Sequence, residues 1–284
     1  MSDVDDQHLD DRHDDDQQLV DELEEVWRSI ADFGDTLTED EWKSPSELPG
    51  WSVQDNVVHL AAIEAMSMGH AWKDLDDAPA AAHVRNDVGA ENERAVHSRR
   101  GWTGADVLAE FRLLTDERIA GLRALDTAGF DADSWTPQGP GTVRTLLPFR
   151  IFDSYAHEQD MRRPLGRPGG TASGAAARAI EMGAGAMPFV VGKKAAAPEG
   201  STVVFSLTAP LPRDLAIEVV GGRARRRDDV PDAPTVRVTM SSATFERLGS
   251  GRVTGDDVLA SGAVVLAGDD DLGRRVLAEM NYLF

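Results

Sequence analysis

Apolar residues recur at intervals of three and four between about residues 19 and 162, which is the periodicity of amphipathic helices. Short segments rich in turn-forming residues interrupt this pattern. Four of the periodic segments are long, so we predict an up-and-down four-helix bundle in this part of the chain. The predicted helices cover about residues 19–33, 52–72, 87–99, 103–122 and 143–162.

The pattern changes after the sequence RPLGRPGGT. An alanine-rich helix is predicted over about residues 172–189, and beyond about residue 200 polar and apolar residues alternate as they do in strands. The short basic run RARRR is predicted to be a solvated turn. Strands are predicted in STVVFSLTA, DLAIEVV, TVRVTM and GAVVLAG, and helices in SSATFERLGSG and DDLGRRVLAEMNYLF.

These elements predict the fold class α + (α+β), in which an N-terminal up-and-down four-helix bundle precedes a small C-terminal α+β domain. The first segment is dense in aspartate and poor in apolar residues, so we predict a disordered tail there. The expected division is an acidic tail over residues 1–17, the bundle over 18–166, a helix and linker over 167–200, and the α+β domain over 201–284.

The chain has a formal net charge of −21, which repels phosphate backbones and argues against nucleic acid as a partner. It contains no cysteine, so disulfides, thiolate metal ligands and a cysteine nucleophile are excluded, and any thiol chemistry must use an external thiol. No apolar run is long enough to span a membrane, and the acidic N-terminus does not resemble a secretory signal. The expected location is therefore the cytoplasm.

Three side chains point to metal chemistry. Asp153 and His157 are four residues apart on a predicted helix, so both lie on one face and can bind the same ion. His59 lies on an earlier predicted helix among apolar neighbours. If the two helices pack together, two imidazoles and one carboxylate converge and leave coordination positions open, as in catalytic metal sites.

The same residues can also be interpreted as having structural roles without a metal. His59 fits an ordinary helix histidine, and Asp153 with His157 fits a surface pair at helical spacing. However, Arg150 and Asp160 continue the Asp153–His157 stripe, and burying unpaired ionisable groups costs several kcal/mol. A bound divalent cation would satisfy such groups together, which favours the metal site.

The sequence LPGWSVQDNVVHLAAIE also carries a family resemblance. It resembles the second helix of the DinB-like superfamily, in particular the mycothiol-dependent maleylpyruvate isomerase family, where a Pro-Gly-Trp-Ser/Thr-Val segment precedes the first metal histidine, here His59. Asp153, His157 and Asp160 are similar to the acidic residue, histidine and aspartate of that family's fourth helix, although the isomerase has glutamate where this chain has Asp153. The sequence TVRVTMSSATFERLGSGRVTGDDVLASGAVVLAGDDDLGRRVLAEMN resembles the family's sterol-carrier-protein-like domain.

The resemblance implies a divalent metal, expected to be zinc, on His59, Asp153 and His157, and mycothiol or a similar small thiol as cosubstrate. The implied reaction is an isomerisation or an S-transfer on a small electrophilic, carboxylate-bearing substrate. Asp160 is expected to orient a ligand histidine or to act as a base, and Arg150 or Arg163 to hold a substrate carboxylate. The family also uses an arginine from its C-terminal domain, for which the candidates are Arg223, Arg225 and Arg237.

Two other functions remain open at this stage. The same site could activate water in a hydrolase that needs no thiol, or the protein could be a non-catalytic member that binds a metal or another ligand. Two histidines and one carboxylate also suit non-haem iron, and nickel is a further possibility. The expected partners are the small-molecule substrate and the thiol, with no nucleic acid and no membrane, for a monomer or a homodimer.

Overall fold

The computed structural model describes residues 2–72 and 80–282. The chain divides into two compact units, one ending at Gly170 and one beginning at Thr171. The N-terminal unit is helical apart from one short hairpin in its described part. Its elements are α1 Ser2–Gly34, α2 Glu39–Lys43, α3 Val53–Ser67, α4 Asp87–His97, α5 Gly104–Arg123, α6 Thr127–Phe130, β1 Asp133–Thr136, β2 Gly139–Thr142 and α7 Val143–Arg162.

The long helices α1, α3, α5 and α7 form the bundle. Helix α1 packs on α5 and α7, and α3 packs on the same two helices. Each contributes an apolar stripe to the interior, as the periodicity predicts. The buried side chains include Leu23, Ile30, Leu60, Phe111, Leu122, Leu147 and Ile151.

Helix α1 begins at Ser2, so the prediction of a disordered tail over residues 1–17 is wrong for the described residues 2–17. Ion pairs fix part of this segment. Asp16 is fully buried and receives two hydrogen bonds from Arg144, at 2.5 and 2.8 Å. Arg12 pairs with Asp131 at 3.2 Å.

Helix α3 is shorter than predicted, since it ends at Ser67 rather than near Trp72. The residues beyond Met68 turn away at Gly69, whose φ of +77° is a left-handed conformation that glycine adopts without strain. The glycine-rich and proline-rich stretch before α7, which we expected to be a loop, forms the antiparallel hairpin β1–β2.

The C-terminal unit combines one sheet with helices. Helix α8 continues into a π-helical turn over Val190–Lys194. Helix α11 is shorter than predicted, and the last two residues of that predicted helix lie outside the described residues. The elements are α8 Gly174–Phe189, β3 Thr202–Thr208, β4 Arg213–Val220, β5 Arg223–Arg227, β6 Val236–Ser241, α9 Ser242–Gly249, α10 Gly255–Ala260, β7 Val264–Gly268 and α11 Asp270–Ala278.

The strand order within the described sheet is β5-β4-β3-β6-β7, in which β3 and β6 are parallel and the other neighbours are antiparallel. The run RARRR, predicted to be a solvated turn, is instead the edge strand β5. It follows the tight turn at Gly221 and Gly222, and Arg225 and Arg227 pair with Glu218 on β4. These cross-strand pairs explain how a basic run forms a strand.

A mixed sheet with helices following a helical bundle confirms the predicted fold class. In the described part of the chain, no helix is both long and apolar enough to pass through a lipid bilayer.

Candidate metal centre

Helices α3 and α7 bring the three predicted ligands together. The start of α3 is fixed by a capping box in which the Ser52 hydroxyl accepts from the Asp55 N–H and Asp55 accepts from the Ser52 N–H. That start places His59 on the side of α3 that faces α7. On α7, Asp153 and His157 are one turn apart and point the same way.

The three side chains form a tight group. One ligand atom from each of His59, Asp153 and His157 lies within 4.8 Å of the other two. His59 Nε2 is 3.6 Å from Asp153 Oδ2, and His157 Nε2 is 3.5 Å from Asp153 Oδ1. In the described part of the chain, no second group of three histidine or acidic side chains has this spacing. The predicted convergence is therefore observed.

Both imidazoles are buried, with His59 5% and His157 6% exposed, whereas the Asp153 side chain is 27% exposed. The group is thus closed on the histidine side and reaches solvent at the carboxylate. This arrangement resembles a site with open positions for a small molecule more than a fully enclosed structural site.

Two polar side chains orient His157. Its Nδ1 lies 2.8 Å from Asn56 Oδ1 and 3.3 Å from Asp160 Oδ2. Because Asn56 Oδ1 only accepts hydrogen bonds, Nδ1 donates its proton there, which leaves Nε2 as the nitrogen that can bind a cation. This is the tautomer that a metal ligand requires, and such outer partners commonly fix the ring of a ligating histidine.

Asp153 is held by a buried chain of charges. Arg150 Nη1 donates to Asp153 Oδ2 at 2.7 Å, and Arg150 Nε donates to Glu64 Oε1 at 2.7 Å. Glu64 is fully buried, and its other oxygen lies 3.3 Å from Arg118 Nε. Two nitrogens of Arg150, Nε and Nη1, therefore donate hydrogen bonds to carboxylates of the protein. Its third nitrogen, the buried Nη2, has no hydrogen-bond partner.

The charges set the protonation of the group. Burial lowers the pKa of His59, because an imidazolium is costly away from water. For Asp153 burial would raise the pKa, but the charges of His157 and Arg150 hold it well below its usual range. For His157 burial would lower the pKa, but Asp153 and Asp160 raise it. Asp153 is consequently an anion, and a bound cation would replace a proton on His157.

Most of the other predicted arginines have a partner within their own unit. Arg163 caps the C-terminus of α7, where its Nη1 donates to Glu47 Oε2 at 2.8 Å. In the C-terminal unit, Arg225 pairs with Glu218, and Arg237 Nη1 donates to Ser206 at 2.7 Å. Arg223 is exposed at the start of β5.

The donor set fits a divalent transition metal. Two imidazole nitrogens and one carboxylate oxygen, all within reach of a common point, suit zinc or non-haem iron and leave positions open for exchangeable ligands.

The sequence indicated these three residues and Asp160 as candidates, but it did not indicate Asn56 or Glu64. For Glu64 a signal was available, because it is an acidic residue among apolar positions of the predicted helix.

Comparison with known proteins bears on this geometry. Residues 23–162 match the family model of the mycothiol maleylpyruvate isomerase N-terminal domain. The N-terminal unit belongs to this family. The match covers α3 and α7 with all three candidate ligands, and it confirms the resemblance that the sequence indicated. No curated protein matches the chain by sequence.

Two solved structures of one isomerase share the fold of this chain. The crystal structure of the mycothiol-dependent maleylpyruvate isomerase matches 89% of this chain and 92% of its own, with 16% identity and a TM-score of 0.56. A histidine-to-alanine mutant of that isomerase matches the same shares, with 15% identity and a TM-score of 0.52. Sterol Carrier Protein 2 Like 2 from Aedes aegypti matches 36% of this chain and 96% of its own, with 18% identity and a TM-score of 0.30.

Proposed function

We propose that this protein is a metal-dependent enzyme that uses an external low-molecular-weight thiol, mycothiol or a close analogue, either to isomerise a small electrophilic, carboxylate-bearing substrate or to become attached to it through sulfur. The observation that carries the proposal is the convergence of His59, Asp153 and His157 in a unit of the isomerase family. The chain contains no cysteine, so the sulfur of such a reaction would come from an external thiol.

His59, Asp153 and His157 would hold the cation, which we expect to be zinc. When bound, it would lower the pKa of a thiol in an open position and so supply a thiolate near neutral pH. The protein supplies orientation. Asn56 and Asp160 hold the His157 ring in the ligating tautomer, and Arg150 holds the Asp153 carboxylate.

Arg150 is better suited to support Asp153 than to bind a substrate carboxylate, since it is 5% exposed and already bonded to two carboxylates. Arg163, whose side chain is 22% exposed, stays a prediction for that role. Asp160 is fully buried beside His157, which favours an orienting role over that of a base acting on substrate.

An isomerisation assay tests the proposal. Purified protein loaded with zinc is mixed with maleylpyruvate, a cis-unsaturated acid, in the presence and absence of mycothiol, and the trans product is measured. The proposal predicts conversion that needs both thiol and metal and that is lost in His59→Ala. Turnover of an ester or amide without thiol would instead indicate the metal hydrolase, and a metal-free protein with no thiol chemistry would indicate a non-catalytic member.

A further inference from the structure

The indole of Trp51 packs against both candidate ligand histidines. Its ring centroid is 5.2 Å from that of His59, with the planes inclined at 52°, and 5.9 Å from that of His157, nearly parallel at 24°. The two imidazoles are themselves 4.7 Å apart, edge to face. The three rings therefore form one cluster, in which the indole packs against both imidazoles.

A buried carboxylate holds the indole in place. Trp51 Nε1 donates to Glu93 Oε2 at 3.0 Å, and Glu93 is 2% exposed. His83 Nε2 lies 2.9 Å from the same oxygen, and Arg100 Nη1 pairs with Glu93 Oε1 at 2.8 Å. Burial would raise the pKa of Glu93, but the hydrogen bonds from His83 and Trp51 and the charge of Arg100 lower it. An ionised acceptor makes the indole hydrogen bond stronger than a neutral one would.

The backbone next to Trp51 is shaped for this contact. Gly50 has φ +82°, and a Cβ atom at this position would lie 2.4 Å from His83 Nδ1. The His83 ring thus packs against the Gly50 backbone, and its Nε2 lies within hydrogen-bond distance of Glu93. Glu93 lies on α4 and His83 just before it, so these residues tie a separate element of the unit to the indole.

We propose that Trp51 is a positioning residue that sets the rings of His59 and His157 for metal binding, and that Glu93 is the group that fixes Trp51. This inference rests on the proposed metal-dependent function and assigns a role to residues outside the ligand set. Such outer residues commonly contribute about 10- to 100-fold to metal affinity.

The test compares two site variants with two matched controls. Trp51→Phe keeps an aromatic ring but loses the donor to Glu93, and Glu93→Gln keeps the size of the side chain but loses its charge. Trp102→Phe alters another tryptophan, and Glu110→Gln alters another glutamate, which pairs with Arg99. Zinc affinity is measured by competition with a chelator, and the ring-proton signals of His59 and His157 are recorded by NMR in the metal-free proteins.

We expect zinc affinity to fall about tenfold or more in both site variants and by less than about twofold in both controls. We also expect the histidine ring signals to move in the site variants, because the ring current of Trp51 acts on them, and to stay unchanged in the controls. Unchanged affinity together with unchanged ring signals in both site variants would overturn the positioning role.

Failure of the proposed function gives a different result. If the parent protein binds no zinc, the metal-dependent function is wrong, and the metal-free NMR spectra alone decide the positioning role. Ring signals that move in Glu93→Gln would then support it, and ring signals that stay in place would refute it.

Discussion

The interior of α3 and α7 and the interior of the C-terminal sheet are built from different kinds of side chain. The first encloses imidazoles, carboxylates and guanidinium groups, among them His59, Glu64, Arg150 and His157. The second is a cluster of buried apolar residues from the sheet and its helices, including Met187, Val203, Phe205, Ile217, Val238, Phe245 and Val276. The side chains named in both interiors are buried, so burial alone does not distinguish them.

The difference lies in what each interior can do. Apolar packing stabilises a fold but offers no group to bind an ion or move a proton. Buried charges contribute little net stability even when paired, and they are costly when a partner is lost. Their presence between α3 and α7 therefore points to function, whereas the interior of the sheet unit points to stability.

Removing an aromatic ring from the apolar interior should have the largest effect on stability. Phe205→Ala creates a cavity beside Phe245, and we expect it to lower the free energy of unfolding of the C-terminal unit by about 3–5 kcal/mol. Urea denaturation measures this change. Val265→Ala, at a position 61% exposed on the same sheet, is the control and should have little effect. Equal losses in the two variants would contradict the assignment of the core.

Removing one charge from the ionic interior should destabilise the N-terminal unit by a similar or slightly smaller amount. Glu64→Gln leaves Arg150 and Arg118 without their shared carboxylate, at a cost of up to about 3–5 kcal/mol. Unlike Phe205→Ala, it should also weaken zinc binding, because Arg150 holds Asp153. Glu117→Gln, which alters an exposed pair with His70, is the control. If zinc affinity were unchanged in Glu64→Gln, the link through Arg150 would be refuted.

The smallest of these effects should come from the hydrogen bond that orients His157. Asn56→Ala removes the acceptor next to His157 Nδ1 but leaves Asp160 in place, so we expect zinc affinity to fall about tenfold. Chelator competition measures the affinity, and the control is Asn281→Ala, which alters an exposed residue of the C-terminal unit. A fall of the same size in both variants would show a general loss of stability instead.

The sequence was sufficient to predict that His59, Asp153 and His157 converge, but not which side chains support them. A separation of four residues fixes the relative direction of Asp153 and His157 on any helix, and the Ser52 capping box fixes the phase of His59, so these features are local. The support comes from distant partners. Asn56 reaches His157 across 101 positions, and Glu64 reaches Arg150 across 86. The periodicity of apolar residues does not show which side chains from distant positions contact one another.

The wrong predictions have the same origin. The RARRR run forms a strand because Glu218 on the neighbouring strand pairs with two of its arginines. The acidic N-terminal segment is helical. Asp16 in that segment is buried because it forms an ion pair with Arg144, which lies 128 positions later in the sequence. In both segments the local composition indicated solvent exposure. An ion pair with a residue far along the sequence instead stabilises a strand in one segment and a helix in the other.

The most direct measurement is the metal content of purified protein, determined by elemental analysis beside the His59→Ala and His157→Ala variants. We expect about one equivalent of a divalent transition metal in the parent and little in either variant, with both variants still folded by circular dichroism. A folded parent without stoichiometric metal, or variants that retain the metal of the parent, would contradict the assignment of His59, Asp153 and His157 as the metal centre.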